Sequence, residues 1–507
     1  MECVPNKSPT STNQHGIKRK KLNNNRQIKH ILKITGLVVL IVVGSGVVVV
    51  SAFLLFPDYF VNHFAKDKIE KMLAAEYPAY TLNLGNIHYN VWQNKVVFTS
   101  LSLSSKDSSF SSTAASAAIS DVKWLKILNS SDTAYYSYLA RTKINGDDIV
   151  LRFPQWHYEL RCNNLKISVS DSTIIADRVE YHPLWDGVND SSFSCAIASA
   201  NLSNVNCLRL LQGIDTTRVS PFIRANGVAN DLVFNFPKTH YELTGTRLKI
   251  SVPDSALSLD SVDLRPLVSD PEFFGSSKFR RTRFRFTTPQ ITINGYQILA
   301  MMEGKQYAAR EVEIHKPTLD ILINKEKPSE KDVSPPRMPN EFAASIKVPI
   351  KFDNVNITNA QVLYGEQFTA NGKPAVIRLD DVGIAMKGIS NRGTITIRAE
   401  GLFMKEGKMN IQMTLPLAGP DFALQYSGSV RSMNAESLNP FLVIAEKMRI
   451  KSGYLQEGSF DIRIAHGRAQ GKVHAIYKDL TVAKLDKETL SENGILDRIT
   501  SFLANFL

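Results

Sequence analysis

Apolar and polar residues alternate along most of this chain, a pattern typical of strands with one dry and one wet face. In one run, Leu165, Ile167 and Val169 alternate with polar residues. Another run near the C-terminal end has an apolar residue at every second position: Met409, Ile411, Met413 and Leu415. Helical patterns are few and short. The pattern predicts a mainly β protein built on twisted antiparallel sheet.

The chain contains a tandem duplication. Residues 107–184 align without a gap with residues 190–267, and about 35 positions are identical. The stretch HYELRCNNLKISVSDS, from His157, recurs as HYELTGTRLKISVPDS, from His240. The alternating residues Leu248, Ile250 and Val252 thus repeat Leu165, Ile167 and Val169. Repeats predict a stacked architecture, and a period of 83 residues leaves room for several strands in each unit.

Charge is concentrated at the N-terminus. Residues 1–33 hold eight basic residues and one acid, so this tail carries +7 of the formal charge of +12. Residues 34–56 follow without a charge and would span roughly 34 Å as a helix, enough to cross a bilayer. Because basic flanks stay cytoplasmic, the pattern predicts a single anchor with residues 58–507 on the far side. The run ends in bulky residues, which argues against a cleaved signal peptide.

These patterns give a provisional division of the chain. The segments are a basic cytoplasmic tail (1–33), an anchor (34–56), a helix with first strands (57–106), repeat 1 (107–189), repeat 2 (190–270), a degenerate third unit (271–324), a proline-rich linker (325–340), a C-terminal β domain (341–485) and an amphipathic C-terminal helix (486–507). Each repeat also has a short Leu-rich turn, WLKIL at Trp124 and CLRLL at Cys207.

The order of these elements resembles that of AsmA-like proteins of the bacterial cell envelope. The resemblance rests on the single anchor, on units reading strand, Leu-rich turn, strand, and on the C-terminal stretch from Ala423 to Leu485, with its L-N-P helix and G-x-x-x-G-x-F-D strand. It implies an elongated antiparallel sheet folded as an open, taco-like groove on an inner-membrane anchor. It also implies a role in intermembrane phospholipid transport or outer-membrane assembly.

The residues independently allow two outcomes for the apolar face of such a sheet. It either closes as a sandwich or lines a groove that accepts an apolar ligand. Acyl chains require only continuous aliphatic rows. The candidate groove-lining residues are Leu165, Ile167, Val169, Leu248, Ile250, Val252, Met409, Ile411, Met413 and Leu415.

One local segment is strongly basic. The stretch SKFRRTRFRF is interpreted first as a solvated strand face, and second as a contact for phosphate head groups or another anionic envelope component. Its candidate cations are Lys278, Arg280, Arg281, Arg283 and Arg285.

No motif for an enzyme, a cofactor or a metal is found. His157 and His240 are interpreted as surface residues copied by the duplication, and Asp171–Ser172 and Asp254–Ser255 as strand-end turns. Cys195 and Cys207 are near enough in sequence to pair, although nothing requires it.

Two functions remain. The first is an inner-membrane-anchored periplasmic protein of envelope biogenesis that holds or guides phospholipid acyl chains. The alternative is a structural or interaction scaffold of the envelope that carries no lipid. Both predict membrane and envelope-protein partners, and neither predicts nucleic acid.

Overall fold

The computed structural model describes residues 78–90, 93–122, 139–154, 157–185, 188–189, 193–212, 220–302, 305–329, 337–370, 372–486 and 489–496. The predicted tail (1–33), the anchor (34–56) and the Leu-rich turn at Trp124 lie outside these residues. Among the residues described, no helix is long and apolar enough to cross a membrane.

Strand is the dominant structure, as the alternation predicts. The strands of the repeat-containing half are β1 (Tyr80–Asn83), β2 (Ile87–Asn90), β3 (Lys95–Ser105), β4 (Ser111–Ser120), β5 (Lys143–Phe153), β6 (Tyr158–Ser168), β7 (Thr173–Trp185), β8 (Val188–Asn189), β9 (Ser194–Ser203), β10 (Asn226–Phe236), β11 (Tyr241–Ser251) and β12 (Ala256–Pro266). Those that follow are β13 (Thr282–Asn294), β14 (Tyr307–His315), β15 (Thr318–Asn324), β16 (Ile350–Gln367), β17 (Ala375–Ser390), β18 (Thr394–Phe403), β19 (Gly407–Pro416), β20 (Leu424–Asn434), β21 (Met448–Ala465), β22 (Arg468–Leu485) and β23 (Glu492–Leu496).

The helices within the described residues are short. They are α1 (Cys207–Gln212), α2 (Asp270–Gly275), α3 (Ile298–Met302), α4 (Pro339–Ser345) and α5 (Asn439–Ala445). A proline occupies the first turn of α2, α4 and α5, where its missing N–H costs no hydrogen bond. The bounds of these helices confirm two predictions. The Leu-rich turn predicted at Cys207 is α1, and the helix predicted at the L-N-P sequence is α5.

The duplication is visible in the backbone. Strands β4–β7 recur as β9–β12, and the first residues of these strands keep the 83-residue offset. Residues with left-handed backbone also recur at that offset: Asp148 and Asp231, His157 and His240, Ser172 and Ser255, and Arg178 and Ser261. Both the strands and the irregular positions within and between them were thus copied.

The described chain divides into two compact units. The first comprises residues up to 155, with 163–175 and 203–224. In this unit, β1 and β2 both pair with β3, β3 pairs with β4, and β4 pairs with β5. The second comprises 156–162, 176–202 and 225–507. From β10 to β23 its strands pair in chain order, with β14 and β15 lying end to end between β13 and β16.

The prediction of a purely antiparallel sheet is wrong. β16 runs parallel to both β14 and β15, so the sheet of the second unit is mixed. The reason is the connection between Asn324 and Ile350, which contains the proline-rich linker and α4. A crossover of this length returns the chain to the same end of the sheet, as parallel pairing requires.

The C-terminal prediction is also corrected in part. Residues 492–496, which lie within the amphipathic helix expected over 486–507, form β23 and pair with the end of β22. Residues 497–507 lie outside the described part of the chain. Beside this end of the sheet, α5 anchors a core of buried residues: Ala375, Met404, Met433, Ala435, Leu438, Phe441, Leu442, Ile450 and Val482.

Candidate functional site

Two rows of apolar side chains cross the second unit from strand to strand, and together we call them the lane. The first row is Leu248, Leu259, Ile291, Ile314, Ile357, Ile384, Ala399, Ile411, Gly428, Phe460 and Val473. The second is Ile250, Leu257, Ile293, Val312, Val355, Met386, Ile397, Met413, Tyr426, Ile462 and Gly471. Each residue is the register partner of the next. The lane therefore continues without interruption from β11 to β22.

The other face of the same strands is polar. Between the two rows, the register places Lys249, Ser258, Thr292, Glu313, Asn356, Ala385, Arg398, Gln412, Ser427, Asp461 and Lys472. Successive residues of a strand point to opposite faces, so these side chains lie away from the lane. Along the lane, the sheet is thus apolar on one face and hydrophilic on the other.

The lane is neither buried nor fully exposed. Val355 is its one buried member, at 8% exposure, whereas Val473 at the β22 end is 39% exposed. Most other members are partly exposed. A sandwich would bury such rows in the way α5 buries the core beside it. In the described residues the lane is instead a half-covered apolar surface.

Short helices flank the lane. At its β11 end, Tyr296, just before α3, and Ile298, the first residue of α3, pack with Ile250, Leu257 and Ile293. At its β20–β21 end, Val430 and Leu455 pack against the core anchored by α5. These contacts fix the edges of the lane without covering its length.

An aromatic pair lies on β20 and β21. The rings of Tyr426 and Phe460 have centroids 5.7 Å apart. Gly428 has no side chain to occupy the space that the ring of Phe460 takes. The lane thus changes from aliphatic to aromatic lining as it approaches β22.

The first unit contains its own apolar cavity, of about 160 Å³. Its lining includes two of the predicted groove residues, Leu165 and Ile167, together with Leu101, Phe110 and Phe153. Buried methylenes and aromatic carbon dominate this lining, so the cavity suits an apolar guest.

The predicted groove residues therefore fall in several places. Leu248, Ile250, Ile411 and Met413 belong to the lane. Val252 packs beside the lane near α3, and Leu415 lies opposite Ile395 on β18. Val169 and Met409 are buried, at 9% and 8% exposure. The sequence had marked β11 and β19 but not the strands between them, where the same alternation could have revealed Leu259, Ile291 and Ile384.

The basic segment is largely engaged within the protein. The Arg283 side chain is 4% exposed, with Nη1 2.8 Å from Asp320 Oδ2 and Nε 3.3 Å from Asp270 Oδ1. Arg285 also pairs with Asp270, at 2.8 Å. Two arginines and two aspartates thus balance one another and fasten α2 to β13 and β15.

Two further arginines hold loops. Arg281 lies 4.2 Å above the ring of Phe273 and donates a hydrogen bond to Ser276. Arg280 donates to the carbonyl oxygens of Lys325 and Lys327. Lys278 is exposed. The anionic contact stays a prediction, while the geometry gives four of the five cations a structural role.

The duplicated histidines close turns. His157 and His240 have φ of 58° and 59°, and each carbonyl oxygen accepts a hydrogen bond, from Leu184 and Leu267 respectively. Histidine is among the residues that tolerate the left-handed region. The duplicated serines also adopt the left-handed conformation at the predicted strand-end turns, where Ser172 and Ser255 have φ of 55° and 52°.

The thiols have the character of packed side chains. Burial raises the pKa of Cys207 to about 11 and also raises the pKa of Cys195. The thiolate is the nucleophilic form, so both are poor nucleophiles at neutral pH. Neither takes part in a disulfide. Within the described ranges, no group of three His, Cys, Asp or Glu side chains is placed to hold a metal ion.

Compared with protein-family models and with curated proteins, the chain matches none.

Proposed function

We propose that this protein holds or guides phospholipid acyl chains along the lane. The observation that carries the proposal is the unbroken register of two apolar rows from β11 to β22, half-exposed on one face of a sheet whose other face is polar. Acyl chains need contact with hydrocarbon and no directional hydrogen bonds. A continuous aliphatic surface supplies this contact at every step.

The cavity of the first unit supports the same chemistry. Part of its lining comes from repeat 1, where Leu165 and Ile167 are the counterparts of Leu248 and Ile250. Each compact unit therefore offers its own apolar surface of a size that suits hydrocarbon. A mechanism follows in which chains are desolvated by the rows while headgroups stay in water, so no residue has to recognise the lipid by charge.

The setting of this activity rests on the sequence. The uncharged run 34–56 after a basic tail supports an inner-membrane anchor with the sheet in the periplasm. The resemblance to AsmA-like proteins supports a role in envelope biogenesis, as a carrier of phospholipid between membranes or in outer-membrane assembly. The alternative scaffold function would use the same anchor and sheet but leave the lane empty of lipid.

Site-specific photocrosslinking tests the proposal. The full chain is expressed in bacterial cells with benzoylphenylalanine at one position. The label replaces either Ile411, in the lane, or Gln412, the next residue along the strand, on the polar face. We expect phospholipid adducts by mass spectrometry from position 411 and few from position 412. Equal adducts at both, or none at position 411, would favour the lipid-free scaffold.

A further inference from the structure

One edge of the second unit's sheet is open along most of a strand. β22 pairs with β21 from Arg468 to Lys484, but with β23 only from Val482 to Leu485. In the part of the chain that the structure describes, no strand pairs with the other edge of residues 468–478. We call these eleven residues the β22 edge. It ends before Asp479, where a φ of 51° and a register shift against β21 make β22 irregular.

Apart from Ala475, the side chains of the β22 edge are exposed, including its large apolar ones. Val473, Ile476 and Tyr477 are 39%, 42% and 48% exposed. A regular edge of this length directs backbone N–H and C=O groups outward at alternate residues, which is a template for another strand. Backbone donors and apolar side chains thus occur together on one accessible edge.

The charge of the β22 edge selects between partners. It carries Arg468, Lys472 and Lys478 and no acid. Two copies of this edge paired with each other would bring cations against cations, which destabilises cross-strand pairs. An acidic strand would instead be attracted. The lysines therefore protect against self-association while favouring a negatively charged partner.

We propose that the β22 edge binds an extended segment of another protein by strand addition, and that this segment alternates apolar residues and carries acidic ones. Main-chain hydrogen bonds supply the affinity in this mode, and the side chains supply the selectivity. Because Gly471 and Val473 are the last members of the lane, an added strand would also continue both apolar rows. The proposal does not depend on the lane holding lipid.

A designed peptide tests it. The probe is a fluorescent peptide of about 11 residues that alternates valine with threonine and has glutamate near each end, mixed with the detergent-solubilised full chain. Its control has the same side chains but N-methylated central amides, which cannot donate hydrogen bonds. We expect saturable anisotropy with the probe, loss of binding with its control, and slower amide exchange at residues 468–478.

Matched variants locate the contact. The double variant K472Q/K478Q removes two charges from the β22 edge, and K387Q/K408Q removes two exposed lysines from interior strands β17 and β19. We expect the first to weaken probe binding about two- to tenfold and the second to leave it unchanged. Equal weakening by both, or undiminished binding of the N-methylated peptide, would reduce the effect to general charge attraction and overturn strand addition.

Two other occupants are separated by the same measurements. If a chain ending at Leu496 binds the probe while the full chain does not, the β22 edge belongs to the protein's own last residues. If residues 468–478 become protected without peptide as protein concentration rises, a second copy pairs there. Either result overturns the proposal of a foreign partner.

Discussion

The ring of Phe460 covers the position that a Cβ atom of Gly428 would occupy, on the neighbouring strand of the lane. Such an atom would lie 2.8 Å from Cζ of Phe460 and overlap the carbonyl oxygen of Asn410. Glycine at this position is therefore required by the close approach of two strands and a ring. The aromatic lining near β22 depends on it.

Gly428→Ala should accordingly destabilise the protein by about 1–3 kcal/mol, because the ring or the strand must move. The measurement is urea unfolding of the full chain. Gly458→Ala on β21 is the matched control, since a Cβ there meets nothing closer than 3.7 Å. It should change stability by less than about 1 kcal/mol. Equal costs at the two positions would mean that neither Asn410 nor Phe460 restricts residue 428.

Arg283→Met should lower the free energy of unfolding by about 3 kcal/mol. Asp270 and Asp320 would keep their charges near a buried site after one of their two arginine partners is removed. The control is Arg265→Met. Arg265 also contacts two acids, Glu242 and Asp263, but its side chain is 57% exposed. Its replacement should cost less than about 1 kcal/mol. If unfolding experiments find no difference between the variants, the cluster on α2 and β13 does not fasten the helix.

Asp380 should make a pH-dependent contribution to stability. The Arg378 guanidinium donates to both carboxylate oxygens, at 2.7 and 2.8 Å, and holds the pKa of Asp380 below its ordinary value, with a smaller contribution from Gln361. A lowered pKa stabilises the folded state above the unfolded pKa of about 3.9, and this stabilisation is lost as pH falls through the folded pKa.

The free energy of unfolding should therefore be lower in Asp380→Asn than in the natural chain near pH 7, by on the order of 1 kcal/mol. The gap should close as pH falls below about 4. In an Arg378→Met background the gap should be small at every pH tested. A gap that stays constant with pH would show that Arg378 does not determine the titration of Asp380.

His240→Val should cost about 1–2 kcal/mol, because a β-branched residue fits the left-handed region poorly. His157→Val should cost a similar amount, since the two positions share nearly the same φ. His240→Gly should be tolerated. Thermal unfolding of the three variants distinguishes backbone conformation from imidazole chemistry. Losses as large with glycine as with valine would assign the role to the ring.

Much of the second unit could be predicted from alternation and duplication. The duplication predicted that the two units share several strands, the rows around Ile167 and Ile250 predicted β6 and β11, and the row at Met409–Leu415 predicted β19. Alternation reports which residues share a face within one strand. It cannot report register, so the alignment of Ile411 with Ala399 and Gly428 across strands was not predictable.

Other features depend on distant parts of the chain. The parallel pairing of β16 results from a long crossover, and nothing local in Ile350–Gln367 indicates direction. Arg283 looks like a solvated cation in SKFRRTRFRF, because Asp270 and Asp320 reach it only after α2 and β15 have folded against β13. The histidines looked like inherited surface residues, and the φ values show why the turn accommodates them.

Under the proposed function, the continuous register of the lane sets the number of acyl chains that it can hold. Ten strand-to-strand steps of about 4.8 Å make a path of roughly 48 Å. One acyl chain is about 15 Å long, half the hydrocarbon thickness of a bilayer. The path thus accommodates about three acyl chains placed end to end. A saturated protein should carry more than one lipid, and movement of any one along the path would require its neighbours to move as well.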